Sequence, residues 1–288
     1  MRRAFRVAYD GSAYRRFQRQ PHAETVENEI FRALAALDVV SDPQVPPDGY
    51  AAAGRTDAGV SAVGQTVSFD APEWLSPVAF NSELPADVRT WASVDVSDAF
   101  HAQYDARSRT YEYHLHAPSM ADQREATDRA SGEAASCVDD ERATAVCDRL
   151  SGEHDFHNLT SDESGTERDL DAACERDGPF LVCRFTAGGF PRQFVRRAVG
   201  LLASVATGER ELSFLDRVLS AEELQGPDGV TAAAPEPLLL RRVEYDAAFE
   251  LDDSAATSAW TVFERRRIER LTGARVAERL RSGASRDP

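Results

Sequence analysis

The stretch Ala51–Asp70, AAAGRTDAGVSAVGQTVSFD, decides how the rest of the chain is read. Two runs able to form strands, Tyr50–Ala53 and Val63–Phe69, flank a loop of small and turn-forming residues that carries one carboxylate, Asp57. Gly54 and Gly59 bracket that loop, so the backbone can turn sharply at both ends and let something bulky approach the acid closely. Taken from the residues alone, Asp57 is either an Asx-turn former or a substrate-facing carboxylate.

Working outward, Phe5, Val7 and Tyr9 alternate with Arg6 and Ala8 as a strand that ends in the turn Asp10-Gly11. From Thr25, a fitting N-cap, the apolar positions Val26, Ile30, Ala33, Leu34 and Leu37 recur at helical spacing. Ser76-Pro77 reads as an N-cap followed by Pro at the first helical position, and Val88–Val96 alternates as a strand. A second half opens with Thr110–His116, whose strict alternation puts Tyr111, Tyr113 and Leu115 on one face. Residues 117–142 are polar and acidic, an exposed connection before a helix over Glu141–Leu150. Phe180–Thr186 reads as a buried strand, Phe190–Val205 as a core-facing helix that stops at Gly208, and Leu238–Phe249 as a late strand. Strands and helices mixed without regular alternation predict an α+β fold on a largely antiparallel sheet. The expected division is an N-terminal subdomain over 1–100, a second over 101–250, and a helical tail over 251–288. That tail carries Arg265, Arg266, Arg267, Arg270, Arg275, Arg279 and Arg281; it is either a solvated helix paired to acidic neighbours or a phosphate-contacting arm.

Composition narrows the setting. At 42% hydrophobic and 8% aromatic residues, the chain is an ordinary globular one. No apolar run approaches the roughly 18 residues of a membrane span, and Met1-Arg2-Arg3 leads into a strand pattern, so a cytoplasmic location is expected. Cys137, Cys147, Cys174 and Cys183 form no C-x-x-C pair and read as reduced, small core residues. The nearest approach to a metal-ligand cluster, His154-Asp155-Phe156-His157, reads as a surface turn. Charge is the unusual feature: 33 basic residues, all arginine, stand against 49 acidic ones for a net −16. So large an imbalance repels both itself and any polyanion unless salt screens it, which points to a high-salt cytoplasm. GC-rich coding would explain the missing lysine but not the acid excess.

Gly54-Arg55-Thr56-Asp57-Ala58-Gly59-Val60 resembles the signature of the tRNA pseudouridine synthase A family, and further blocks follow in order. Tyr9-Asp10-Gly11 with Phe17-Gln18-Arg19-Gln20 is similar to the first-strand motif; Gly64-Gln65, then Asn81, Leu84-Pro85 and Asp87, come next. Phe100-His101-Ala102 leads to Tyr111, and Gly189-Phe190 with Val195-Arg196 and Val199-Gly200 matches the late helix. Phe17 stands where the family usually has Trp, Gln103 where an Arg normally follows Phe-His-Ala, and Arg15-Arg16 replace small or aromatic residues. The resemblance covers residues 5–245 and leaves the tail outside.

The resemblance implies a pseudouridine synthase fold, two α/β subdomains around a mixed sheet with a central catalytic cleft. It implies isomerisation of uridine to pseudouridine at positions 38, 39 and 40 of the tRNA anticodon arm, by a homodimer without metal or organic cofactor. Asp57 would be the catalytic carboxylate, Tyr111 the aromatic that stacks on the target base, Arg196 the partner of Asp57, and Arg55 the side chain that helps to displace the nucleotide. Thr56, Gln18, Arg19, Gln65, His101, Arg192 and Arg197 would contact RNA, with Arg192 and Arg196 four apart on one helix face. Elementary chemistry agrees: a reaction that breaks a glycosidic bond, turns the base and rejoins it by carbon to the same sugar can be run by one nucleophilic carboxylate. Two other classes compete. An RNA-binding module that has lost activity would keep the groove, and a glycoside hydrolase would need a second carboxylate such as Asp105 or Asp155.

Overall fold

A computed structural model describes residues 1–118, 138–224, 226 and 229–284. In chain order the elements are β1 (Arg2–Tyr9), α1 (Val26–Ala36), β2 (Ala51–Ala52), β3 (Ser61–Asp70), α2 (Pro77–Asn81), β4 (Val88–Asp95) and β5 (Ser108–His116). After the undescribed part of the polar connection come α3 (Asp140–Leu150), β6 (Gly152–Asp155), β7 (Glu167–Asp177), β8 (Phe180–Ala187), α4 (Phe194–Ala206), α5 (Phe214–Val218), β9 (Leu238–Glu244), β10 (Glu250–Leu251) and α6 (Asp253–Ala284). The caps expected from sequence are present: the Thr25 hydroxyl accepts from the Asn28 amide and that of Ser76 from the Ala79 amide, each at 3.2 Å.

Among the described residues the strands form one sheet in the order β10-β4-β1-β3-β9-β5-β8-β7-β6, with β2 added to β3. The fold is α+β with a mostly antiparallel mixed sheet, as the sequence predicts; β3 with β9 is the parallel pairing. Two apolar cores lie along this sheet. Phe5, Val7 and Tyr9 of β1 pack with Phe69 of β3 under Ile30, Phe31 and Leu34 of α1 and Phe80 of α2, and the rings of Phe5 and Phe69 stack at 5.3 Å. Tyr113, Leu181 and Phe185 of the second half pack under Val146 and Leu150 of α3 and Ala198, Leu201 and Leu202 of α4. Tyr111 touches both. Among the described residues no helix is long and apolar enough to cross a membrane.

Four expectations need correction. The helix expected from Phe190 begins only at Phe194, because Pro191 and a left-handed Gln193 (φ 58°) hold the preceding residues in a turn. Arg192 therefore shares no helix face with Arg196. The late strand ends at Glu244, since Tyr245 and Phe249 turn inward to receive the Arg6 guanidinium, which lies 4.0 Å from the Phe249 ring centre. The chain then reaches the far edge of the sheet as β10. His154 and Asp155 lie on β6 rather than in a turn, paired with Arg168 and Glu167 of β7. Strand β7 itself went unforeseen, because only Leu170 and Ala172 of its eleven residues are buried. The expected connection over 117–142 falls largely outside the described residues.

The halves are joined by close backbone contact. Ser61 and Ala62 pair with Leu239 and Leu240, and a Cβ on Gly64 would lie 2.6 Å from the Arg241 carbonyl oxygen. Neither strand can retreat without breaking its own ladder. Gly64→Ala is therefore expected to lower unfolding free energy by about 2 kcal/mol, the scale of core overpacking. Urea titration in molar KCl measures it, and an unchanged midpoint would show that the junction yields.

Candidate active site

The Asp57 loop runs between β2 and β3 and is tied down almost everywhere except at Asp57 and Arg55. The Gln65 side chain bonds Gly54 twice, accepting from its amide at 3.3 Å and donating to its carbonyl at 2.9 Å. The Thr56 carbonyl accepts from the Phe17 amide, and its hydroxyl is hydrogen-bonded to that of Tyr9 at 2.7 Å. The Gly59 amide donates to the Tyr14 carbonyl, and Val60 closes a turn onto the Asp57 carbonyl. Arg55 points to solvent, with no hydrogen bond or ion pair among the described residues.

Asp57 faces the second half. Its Oδ2 lies 3.4 Å from Nη1 of Arg196 on α4, and the carboxylate keeps 39% of its surface exposed. Arg196 is itself held, since its Nε donates to the Ala233 carbonyl at 2.7 Å while the Ala233 amide donates back to the Arg196 carbonyl. The segment before β9 thus fixes the guanidinium in place. Tyr111 completes the group from β5: its hydroxyl lies beside Gly54, and its ring meets Phe190 edge-on at 5.3 Å. Burial pushes the Tyr111 hydroxyl up to about 12, the Arg109 charge drawing it down and Asp57 adding to the rise.

Asp57, Tyr111 and Arg196, which the sequence motifs group, are thus brought together from opposite halves of one mixed sheet. A family model described as tRNA pseudouridine synthase matches residues 146–246. The chain is 56% identical to the tRNA pseudouridine synthase A of Natronomonas pharaonis over 96% of its own length and 98% of that protein's. It is 55% identical to that of Haloarcula marismortui over 98% and 99%, and 32% identical to that of Bordetella parapertussis over 87% and 93%. The chain belongs to the tRNA pseudouridine synthase A family.

Several residues expected at the RNA surface of this synthase family face inward instead. Gln65 is fully buried, and its amide is spent on Gly54; Thr56 is 5% exposed and faces Tyr9. Both hold the loop. Arg19 stacks over Phe31 and donates to the Pro43 and Gln44 carbonyls, while Arg197 donates to the Val230 carbonyl. Gln18 is half-buried on the segment that contacts the loop. His101 stacks on Tyr104 at 4.2 Å, and Arg192 is exposed near Asp162 in the turn before α4. With Arg55, these last two remain open to a ligand.

Arg109 is the residue that the sequence reading missed. Buried on β5, it donates through Nε and Nη2 to the Ala53 carbonyl at 3.0 and 2.8 Å, through Nη2 to that of Gln103 at 2.6 Å, and through Nη1 to that of Gly188. One guanidinium thus ties the Asp57, His101 and Phe190 loops together. The available signal was a charge two residues before Tyr111, on the inward phase of the strand. Arg109→Lys retains charge but not the planar fork. It should cost about 2 kcal/mol through carbonyls left unpaired, with amide exchange accelerated selectively over 53–57, 101–105 and 188–193. Unchanged exchange in those three loops would show that Arg109 is not their common anchor.

Stability should also respond to alkali. The hydroxyls of Tyr111 and Tyr245 are both pushed up to about 12, chiefly by burial, against an ordinary value of 10.0. Below pH 10 they are protonated in the folded and unfolded chains alike, and their contribution is intact. Above it the unfolded chain ionises first, so stability should fall as pH rises from 10 towards 12. Denaturant midpoints across that range, read beside ultraviolet titration of phenolate, test this; two phenols ionising near 10 in the folded protein would contradict it.

Proposed function

We propose that this chain converts uridine to pseudouridine in tRNA, at positions 38, 39 and 40 of the anticodon arm, with Asp57 as its nucleophilic carboxylate. The observation that carries the reading is Asp57 itself: a half-exposed acid on a loop anchored on every side, in contact with one arginine. Arg196 holds the carboxylate in place through its Nη1 at 3.4 Å. Tyr111 offers a flat apolar face to a base taken out of its stack, with a hydroxyl that stays protonated at neutral pH. Arg55, with no internal partner among the described residues, occupies the space from which the target nucleotide is displaced.

In the reaction the N1–C1′ bond of uridine breaks, the base turns, and C5 bonds to C1′. The hydrogen on C5 leaves as a proton, and N1 regains one, so no oxidant or reductant enters the balance. The working form is a homodimer in a high-salt cytoplasm, with both protomers contacting one tRNA. His101 and Arg192 line the approach of the RNA.

The reading is tested by release of tritium from tRNA labelled at uracil C5, in molar KCl. Multiple-turnover release is expected from the parent, with a loss of about a thousandfold or more for Asp57→Asn, the scale on which removal of a covalent nucleophile acts. Full activity in that variant would remove Asp57 from the centre of the reaction. Tight tRNA binding without release would leave a binding protein, and free uracil would indicate hydrolysis instead.

A further inference from the structure

The C-terminal helix has a role that the active site leaves unused. Its first turns pack on the sheet, with Ala255 and Ala259 buried, but from Arg265 to Gly283 every side chain is exposed. That stretch holds seven arginines against two glutamates in a chain whose total charge is −16. A helix solvated all round is marginal by itself. Here it is braced by the i,i+3 pairs Arg267–Glu264, Arg266–Glu269 and Arg275–Glu278. Arg265, Arg279 and Arg281 make no ion pair among the described residues.

The helix is also latched at a particular place. Arg270 and Arg266 reach the same carboxylate oxygen of Asp10, at 2.6 and 3.3 Å, and Asp10 is only 6% exposed. Asp10 ends β1 beside Gly11, where a Cβ would come within 2.0 Å of the Val60 carbonyl oxygen and where the amide donates to the Ser61 hydroxyl. Val60 and Ser61 are the foot of the Asp57 loop. The latch therefore ties the helix to the end of β1, next to the foot of the Asp57 loop, and about 20 Å of helix continues beyond it. Helical periodicity sets Arg265, Arg275 and Arg279 on the face turned away from Arg266 and Arg270.

We propose that Arg265–Gly283 is an arm that grips the sugar-phosphate backbone of the tRNA whose uridine is presented to Asp57, a proposal resting on the function given above. Guanidinium groups suit phosphate because their fork donates two hydrogen bonds at once, and each phosphate neutralised releases counterions, so the contact leaves a mark on the salt dependence of binding. A second copy of this acidic chain would also attract arginines, and Ile268, Val276 and Leu280 are exposed on the arm. Charge decides for RNA: seven arginines against two glutamates on a fully exposed helix complement a continuous phosphate backbone.

The test uses the full chain with Arg265, Arg279 and Arg281 all changed to Gln, and reads tRNA binding by fluorescence anisotropy across a range of KCl concentrations. The plot of log affinity against log salt should become shallower by about 2, the effect of losing three phosphate contacts. At the lowest salt the affinity should drop about tenfold or more, while kcat for tritium release stays within twofold of the parent. The corresponding triple Lys variant should restore the slope. A triple Gln variant with the parent's slope and affinity would overturn the arm, as would an unchanged slope accompanied by dissociation of the oligomer in sedimentation. Because the slope is read from binding, absence of turnover in the parent would sink the assigned reaction without deciding the arm.

Discussion

The site depends on a two-residue parallel pairing. Ser61 and Ala62 of β3 meet Leu239 and Leu240 of β9, and Gly64 allows the two backbones to close. Most buried apolar residues of the first hundred belong to one core and most of those from β5 to β9 to the other, yet Val60 reaches into the second core, Leu240 and Val243 into the first, and the sheet continues through. Asp57 hangs from β3 on one side of the seam; Tyr111 on β5 and Arg196 on α4 stand on the other. A carboxylate opposed to an aromatic and an arginine across such a junction needs register more than burial. A slip of one residue would turn β9 over and carry Arg196's support at Ala233 away from the loop.

The structure also shows why arginine, rather than positive charge in general, ties these loops together. Arg109 satisfies three carbonyls from separate loops, Arg196 serves a carbonyl and a carboxylate, and Arg270 bridges a carboxylate and a hydroxyl. A planar fork with fixed donor directions can do this, whereas a lysine's single nitrogen cannot span the same acceptors. A chain with no lysine has made this use of arginine general. The buried charge on Arg109 has no carboxylate against it among the described residues; burial works against that charge, and the carbonyl dipoles offset the cost.

Local signals were legible where neighbouring residues alone decide the structure. The Thr25 and Ser76 caps, the alternation through Tyr111 and the Asp57 loop itself all follow from short-range chemistry, and the order of motifs revealed the family. What could not be read depends on distant partners. Only Arg6, some 240 residues away, explains why the chain breaks between Glu244 and Glu250. Strand β7 is an outer strand whose charged residues mask its two inward ones. Gln65 follows the Asp57 loop in sequence and so reads as an RNA contact, but in the fold its side chain is spent on Gly54. The apolar spacing that suggested a helix from Phe190 was real, yet Pro191 and Gln193 overruled it, so Phe190 became the loop residue against which Tyr111 rests.

The acid excess and the affinity for RNA are reconciled by range. At 1 M salt the screening length is about 3 Å, so carboxylates scattered over the surface neither repel a distant phosphate nor attract counter-charge to one. Only groups in contact count. An arginine that met a phosphate directly would then act on it largely as if the remaining charge were absent. In dilute salt the screening length grows to several residue diameters, and the same surface opposes every approach. In strong salt only charges in direct contact, such as Arg196 with Asp57, carry electrostatic weight.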